Sequence, residues 1–392
     1  MENNFDFAHP KDIAFLKQKA NNNFWCEKNL TVQEYPNAIV GSGWNEGGVW
    51  QENGEFIQHT YFNCSPLFAM QNKPKVLDSI NESVVFVGLF TGTWGHEITD
   101  HLKHLWFYFD ENYAHLKHLK FVYSLMFAPL DASCNYFELL KMLGIEKTQC
   151  LRIDCPTEFK TLYVPEECFF HNPAGYTQEF LNIFQHLPDL PQPQQPAPKI
   201  YLSRTKLNSW KDFNEIEVEN LFKNQGFTIL YPEQLSFSAQ LRYFQHAQIF
   251  AATDGSIAHN LLFCKPNTTA LILRKCRFFT GYQIIINQIK QAQTIYLDAS
   301  CSPLANRNKT KWAEGIFFLY QSKALRRYFG LKPKMFPVVA FLKAHYAVFR
   351  SFNRHELCHF IDHIFLGFTH PLRAKLQLGT RLKKIKSFFF KH

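Results

Sequence analysis

From residue 199 to 298, apolar and polar positions alternate between two periods. Lys199–Ser203, Phe227–Leu230, Gln248–Ala252, Thr269–Leu273 and Thr294–Leu297 are short, mostly apolar runs of strand length. Between them, Asn214–Gln225, Ser236–Ala247 and Tyr282–Gln291 read as helices, and Ala258–Cys264 reads as a short helix stopped by Pro266. Gly226 suits a helix C-cap, where a left-handed backbone is needed, and Ser236 suits an N-cap, where its hydroxyl can accept from a backbone N–H. Regular alternation of strands and helices predicts a parallel sheet covered on both faces, a Rossmann-like domain.

Upstream the alternation is looser. Ser83–Phe90, Leu119–Leu125, Cys150–Asp154 and Lys160–Val164 read as strands. Gly95–Asp110, Tyr136–Leu143 and Thr177–His186 read as helices, with Gly144 closing the second. Residues 1–80 show no clear period. Pro188 to Pro198 holds five prolines in eleven residues, too many for a helix or a central strand, and reads as an extended linker. The expected fold class is therefore α/β. It comprises two Rossmann-like domains at 1–187 and 199–300, the linker 188–198 between them, and an extension at 301–392. Open parallel sheets bind ligands at the carboxyl ends of their strands, so the residues just after each strand are the candidates for chemistry.

Composition narrows this picture. The chain has 392 residues, 46% of them apolar and 19% charged, which supports a large core and argues against global disorder. No leader-like or membrane-spanning apolar run is read in it, and the expected setting is the cytoplasm. The 10 cysteines include no CxxC pair, so neither a zinc ribbon nor a thioredoxin-type site is signalled and reduced thiols are expected. The net charge of +9 is unevenly spread. Residues 321–392 hold 15 Lys and Arg against 2 Asp and Glu, and the remainder is mildly acidic. That tail also holds 13 aromatic residues and ends in Phe388-Phe389-Phe390 before the last two positions. Cations interleaved with aromatics fit an anionic membrane surface. Nucleic acid is the other partner for such charge, disfavoured because no nucleic-acid motif accompanies it. A solvated or core-packing helical extension is the plainer reading.

Three strand-to-helix junctions carry candidate chemistry. In Gly88-Leu89-Phe90-Thr91-Gly92-Thr93-Trp94-Gly95-His96, an apolar strand enters a glycine-bearing turn, and His96 and Asp100 then share one helix face. An imidazole one turn from a carboxylate can serve as an oriented general base, although a capped helix with a surface histidine has the same sequence. Ser203 and Arg204 follow the strand at Lys199, where a guanidinium can fork onto a diphosphate. Asn214 can cap the next helix. In Thr253-Asp254-Gly255-Ser256, small residues allow close approach of a ligand, Asp254 can accept a ribose hydroxyl, and His259 can contact phosphate. A tight turn with polar caps is the structural alternative.

Taken in order, these segments resemble glycosyltransferase family 61. The matching pieces are Gly95-His96-Glu97-Ile98-Thr99-Asp100, Tyr201-Leu202-Ser203-Arg204 with Asn214-Glu215, and Gly255-Ser256-Ile257-Ala258-His259-Asn260. Gly226-Phe227 to Pro232-Glu233, with Ser236-Phe237 and Gln240, is also similar. Asp254 stands where many members have His, which resembles a bacterial Gly-Ser-x-x-His variant. The resemblance implies a GT-B-like pair of domains and an inverting transfer from a nucleotide-sugar donor to a glycan or lipid-linked acceptor, in capsule or lipopolysaccharide biosynthesis. It implies Arg204 and Lys211 at the diphosphate, with Glu215, Asp254, Gly255, Ser256, His259 and Asn260 also on the donor. His96 and Asp100 would face the acceptor. No Asp-x-Asp occurs to hold a metal, so metal independence is expected, with no cofactor. The protein would work in the cytoplasm, or peripherally on the inner face of the membrane through residues 321–392.

Two rival readings remain. A non-catalytic nucleotide- or sugar-binding module would share the fold. His355-Glu356-Leu357-Cys358-His359 also spells HExxH, in which two histidines one helical turn apart bind zinc and the glutamate is the base. No third ligand at metzincin spacing follows, because position 365 is Phe, and the surroundings are basic and aromatic.

Overall fold

A computed structural model describes residues 4–42, 47–60, 73–125, 134–171, 173–207, 212–276, 281–302 and 317–351. Two sheets organise them. The first has the strands β1 (Val32–Gly41), β2 (Gly48–Trp50), β3 (Asp78–Phe90), β4 (Lys120–Leu125), β5 (Cys150–Ile153) and β6 (Thr157–Pro165), in the order β2-β1-β6-β3-β4-β5. β6, β3, β4 and β5 run parallel, whereas β1 joins β6 antiparallel and β2 joins β1 antiparallel. This half is thus a mixed sheet, and the stretch left without a period supplies its antiparallel edge. A hairpin of β7 (Phe169–His171) and β8 (Ala174–Tyr176) follows.

The second sheet is entirely parallel. It contains β9 (Lys199–Leu202), β11 (Thr228–Leu230), β12 (Ile249–Thr253), β13 (Thr269–Arg274) and β14 (Gln293–Asp298), in the order β11-β9-β12-β13-β14. Its strands match the apolar runs to within two residues. β10 (Asp212–Phe213) pairs with β15 (Phe317–Phe318) beside it. Successive residues go to opposite faces, as a pleated strand requires. Ile200 and Leu202 enter one core cluster and Tyr201 another, and Phe250 and Ala252 likewise part from Ala251.

The helices are α1 (Pro10–Ala20), the single turn α2 (Trp94–His96), α3 (Cys134–Met142), α4 (Gln178–Gln185), α5 (Glu215–Asn224), α6 (Phe237–His246), α7 (Tyr282–Ile289), α8 (Lys323–Tyr328) and α9 (Val338–Ser351). Ser236 caps α6 by accepting from Ala239 N–H at 3.3 Å, and Gly226 takes φ +79° after α5. Asn214 occupies the N-cap position of α5, but its amide donates to the Leu319 carbonyl at 2.8 Å instead of capping.

Residues 188–198 form neither helix nor strand. They are nonetheless held, because Gln245 of α6 accepts from Leu190 N–H and donates to the Pro188 carbonyl, both at 2.9 Å. One continuous apolar cluster contains Val85 and Val87 of β3, Phe121 of β4, Ile200 and Leu202 of β9, and Phe250 of β12. The core therefore runs between the sheets. The first residues of the chain lie with the second sheet: Asn4 bridges to Ile295, and Phe5 stacks on Tyr296 at 5.7 Å.

Candidate functional site

Each sheet has a point where strand order reverses. In the first, the chain moves outward from β3 through β4 to β5 and then returns to β6 on the other side of β3. In the second, β9 is flanked by β11 on one side and β12 on the other. A crevice opens at the carboxyl end of strands at such points. A cleft of about 460 Å³ lies there, between the two halves. Gly92, Thr93, Trp94 and Asn135 line one wall; Arg204, Glu233, Ser256 and Asn260 are on the other.

The first and third sequence segments meet directly. Trp94 Nε1 donates to Asn260 Oδ1 at 2.8 Å. Gly95 packs so tightly on the Asp254–Ser256 turn that a Cβ there would sit 2.6 Å from Ser256 Oγ and 3.0 Å from His259 Nδ1. Only a residue without a side chain lets the two backbones approach this closely.

The helix expected over Gly95–Asp110 is broken. After α2 comes a π-helical turn at Glu97–His101, then 3-10 turns at Leu102–His104 and Trp106–Phe109. Residues 97–107 are all buried, polar ones included. A regular helix offers one face to a core; here side chains on every side must find partners. Lys103 reaches Glu167 at 2.6 Å, His104 Nδ1 contacts the Pro165 carbonyl at 3.2 Å, and Trp106 Nε1 donates to the Glu166 carbonyl at 2.7 Å.

The π turn places Asp100 between two histidines. Its Oδ2 lies 2.6 Å from His96 Nδ1 and its Oδ1 2.5 Å from His171 Nε2, with Lys103 Nζ at 3.7 Å. Tyr282 Oη is 2.6 Å from the same His171 nitrogen. Burial alone would raise the Asp100 carboxyl, but the charge and hydrogen bonds of His171 and His96 outweigh it and hold the group well below the usual range. Asp100 is thus a fixed anion under His96, whose side chain is 32% exposed. His171 and Tyr282 were missed in the sequence. They stand alone on a hairpin and at a helix start, and only the fold brings them to Asp100.

The second segment lies across the cleft. Arg204 lines it and contacts Asp212 at 3.4 Å. Asp212 also faces Lys275 at 3.6 Å, a second cation that the sequence reading did not single out. Glu215 does not line the cleft. It is buried behind the β9 turn, where it accepts from Tyr201 Oη at 2.8 Å and from Arg204 N–H at 3.2 Å. Burial pushes Glu215 up to about 7 against the lowering effect of those two hydrogen bonds. One turn along α5, Glu219 accepts from Ser203 Oγ at 2.6 Å and from Tyr231 Oη at 3.0 Å. These two carboxylates position the turn that carries Arg204.

Asp254 also points away from the expected ligand. One of its oxygens is paired with buried Arg274 at the end of β13. His259 is buried beneath the Ser256 turn, and burial, then the neighbouring His96, lowers it to about 3, so it is neutral. Of the residues expected at the donor, Arg204, Ser256 and Asn260 line the cleft; Glu215, Asp254, Gly255 and His259 are buried and do not line it. Lys211 and the segment 355–359 fall outside the described residues.

Fold and site together define an α/β protein with a cleft at its strand ends, walled in part by Arg204; His96, backed by Asp100, follows the lining residues Thr93 and Trp94 but does not itself line the cleft. Residues 94–271, running from the first residue of α2 into β13, match the family model Glycosyltransferase 61, the family that the ordered segments resemble. That match supports a transferase enzyme. No curated protein matches the sequence. Among solved structures, the chain is similar at 12% identity to the bacterial iron-containing dodecameric glycosyltransferase TibC from enterotoxigenic E. coli H10407, with a TM-score of 0.24. The match covers 58% of this chain and 63% of that one, less than two thirds of its length. The iron in that protein corrects one expectation. A glycosyltransferase can contain iron, so a missing Asp-x-Asp is no ground for metal independence. Among the described residues, no group of three His, Cys, Asp or Glu is arranged to hold a metal ion.

Proposed function

We propose that the protein transfers a sugar, with inversion, from a nucleotide-sugar donor to a glycan or lipid-linked acceptor in the synthesis of a bacterial capsule or lipopolysaccharide. In this reading the two halves form a GT-B-like pair and the enzyme works in the cytoplasm or on the inner face of the membrane. The observation that carries it is the junction of Trp94 and Gly95 with Ser256 and Asn260, which sets a histidine–aspartate pair beside a cleft walled by Arg204.

The chemistry follows from that arrangement. With Nδ1–H donated to Asp100, the His96 ring carries its lone pair on Nε2 and can take the acceptor hydroxyl proton. The acceptor oxygen then bonds to the anomeric carbon as the bond to the donor phosphate breaks. The electron pair leaves with the nucleoside diphosphate, whose growing charge Arg204 stabilises. Asp100 stabilises the imidazolium formed, and His171 and Tyr282 keep its carboxylate oriented.

The test is a thermal-shift screen against UDP, GDP, CDP and CMP, followed by turnover with the matching sugar. Arg204→Ala should abolish the nucleotide shift while leaving the unliganded melting point in place; unchanged donor affinity sinks its assignment. Asp100→Asn should lower kcat by about 10²- to 10⁴-fold, because an amide cannot stabilise the imidazolium. NMR of the anomeric proton in the first product reads inversion directly.

A further inference from the structure

α9 is anchored on its inner side and bare on its outer side. Phe341 packs edge-on against Phe318 of β15 at 5.3 Å, and Phe336, just before the helix, also contacts Phe341 at 5.3 Å. His345 stacks on Phe341 at 4.1 Å and is buried. The outer side carries Val338, Val339, Leu342 and Tyr346, which are 54%, 67%, 59% and 66% exposed, and Met335, 91% exposed, lies just before the helix. Their spacing of three and four residues makes one continuous stripe. A helix apolar on both sides is ordinarily covered on both.

Charge decides what covers it. From residue 317 to 351 there are seven Lys and Arg and no Asp or Glu. Lys343 is exposed next to Leu342 on the helix and Lys334 is exposed just before it, while Lys323, Arg327 and Lys332 are exposed on the segment leading to it. An acidic group does approach this rim at one point, where Glu217 lies 3.5 Å from Lys334. A second copy of this chain would bring a like-charged rim against this one, which opposes self-association. An apolar stripe with a rim of cations fits the interface of an anionic bilayer, where the side chains enter the acyl boundary and the cations meet headgroups. No helix among the described residues is long and apolar enough to cross a membrane, so the geometry is that of a helix lying on the surface.

We propose that the outer face of α9, through Val338, Val339, Leu342 and Tyr346 with Lys343, docks the protein on anionic lipid. This deepens the membrane partner named above and rests on the glycosyltransferase reading only for its purpose, the presentation of a lipid-linked acceptor.

The experiment is co-sedimentation of the full chain with vesicles of phosphatidylcholine alone and of phosphatidylcholine with one third phosphatidylglycerol. The nucleotide thermal shift is measured on the same samples. The wild type should sediment with the anionic vesicles, less so at high salt. Val339→Glu with Leu342→Glu should weaken this by at least about tenfold, because both the apolar insertion and the charge balance are reversed. Both positions are exposed, so the melting point and nucleotide shift should persist. Equal binding by variant and wild type, no wild-type binding, or a dimer that the variant dissolves would each overturn the proposal. Loss of the nucleotide response with lipid binding intact would instead count against the transferase site and leave this surface standing.

Discussion

Gly95 carries a constraint that its neighbours in the sequence do not announce. Its hydrogen faces Ser256 and His259 where a methyl group would overlap both. Gly95→Ala should destabilise the protein by about 1–3 kcal/mol, the usual result of overpacking, and push α2 off the Asp254–Ser256 turn. Ser256→Gly should restore part of the loss in chemical-denaturation experiments, because Ser256 supplies the nearest atoms. Glu215 makes a different prediction. Its carboxyl sits at about 7 in the fold against an ordinary value of 4.5. A raised acid favours the protonated fold, so its stabilising effect is complete below 4.5 and disappears as pH rises through about 7. Melting temperatures taken across that window should fall with rising pH, and Glu215→Gln should flatten this component. An identical slope in the variant would place the ionising group elsewhere. At this scale the sequence was only half legible. It exposed Arg204 at a strand end, but the donor role that the resemblance implies for Glu215 could not be checked there, because nothing in a string of letters distinguishes a carboxylate facing a cleft from one facing the back of a turn.

Among the elements, the segment after β3 departs furthest from its pattern. Its residues are good enough helix formers to read as one helix from Gly95 to Asp110, yet the backbone changes pitch twice, from α to π to 3-10, and is broken again at Leu105. The reason is that Lys103, His101, His104 and Asp100 are all buried and each needs a partner from a different direction. Lys103 is the clearest case, with Glu167 at 2.6 Å and Asp100 at 3.7 Å. Lys103→Met should cost about 3–5 kcal/mol, because it leaves Glu167 buried without its cation. Urea unfolding measures this, and a loss below about 1 kcal/mol would mean that the pair is solvated in solution. The second sheet was legible for the opposite reason. β9, β11, β12, β13 and β14 are short apolar runs between amphipathic helices, so local period and tertiary role agree. The antiparallel edge formed by β1 and β2 could not be read this way, since pairing partners are set by distant chain.

At the scale of the whole molecule, the two sheets share a core. Phe184 meets Phe263 at 5.8 Å, Trp94 meets Phe237 at 5.5 Å, and Glu138 of α3 accepts from Phe237 N–H at 2.6 Å. An apolar junction of this kind resists relative motion of the halves, which polar interfaces permit. Nucleotide binding should therefore change the radius of gyration in small-angle X-ray scattering by no more than about 1 Å, well below the change expected of a hinge-closing pair. A larger contraction would show that the junction opens in solution. The proline-rich crossing reads as an extended, semi-rigid linker, but the grip of Gln245 on both Pro188 and Leu190 is visible only in the fold.

The placement of the first residues against the last strand of the second sheet has a consequence for how the chain comes into being. Asn4 bridges to Ile295, and Asp298 N–H donates to the Phe7 carbonyl at 2.9 Å. A ribosome adding about 5–20 residues per second would leave roughly 15–60 s between the synthesis of these partners. Through that interval Phe5 and Phe7 have no native surface to rest on, while the first sheet can already form. The opening segment is therefore the last part of the double-sheet body to settle. During translation it is a natural handle for a chaperone that reads exposed aromatic side chains.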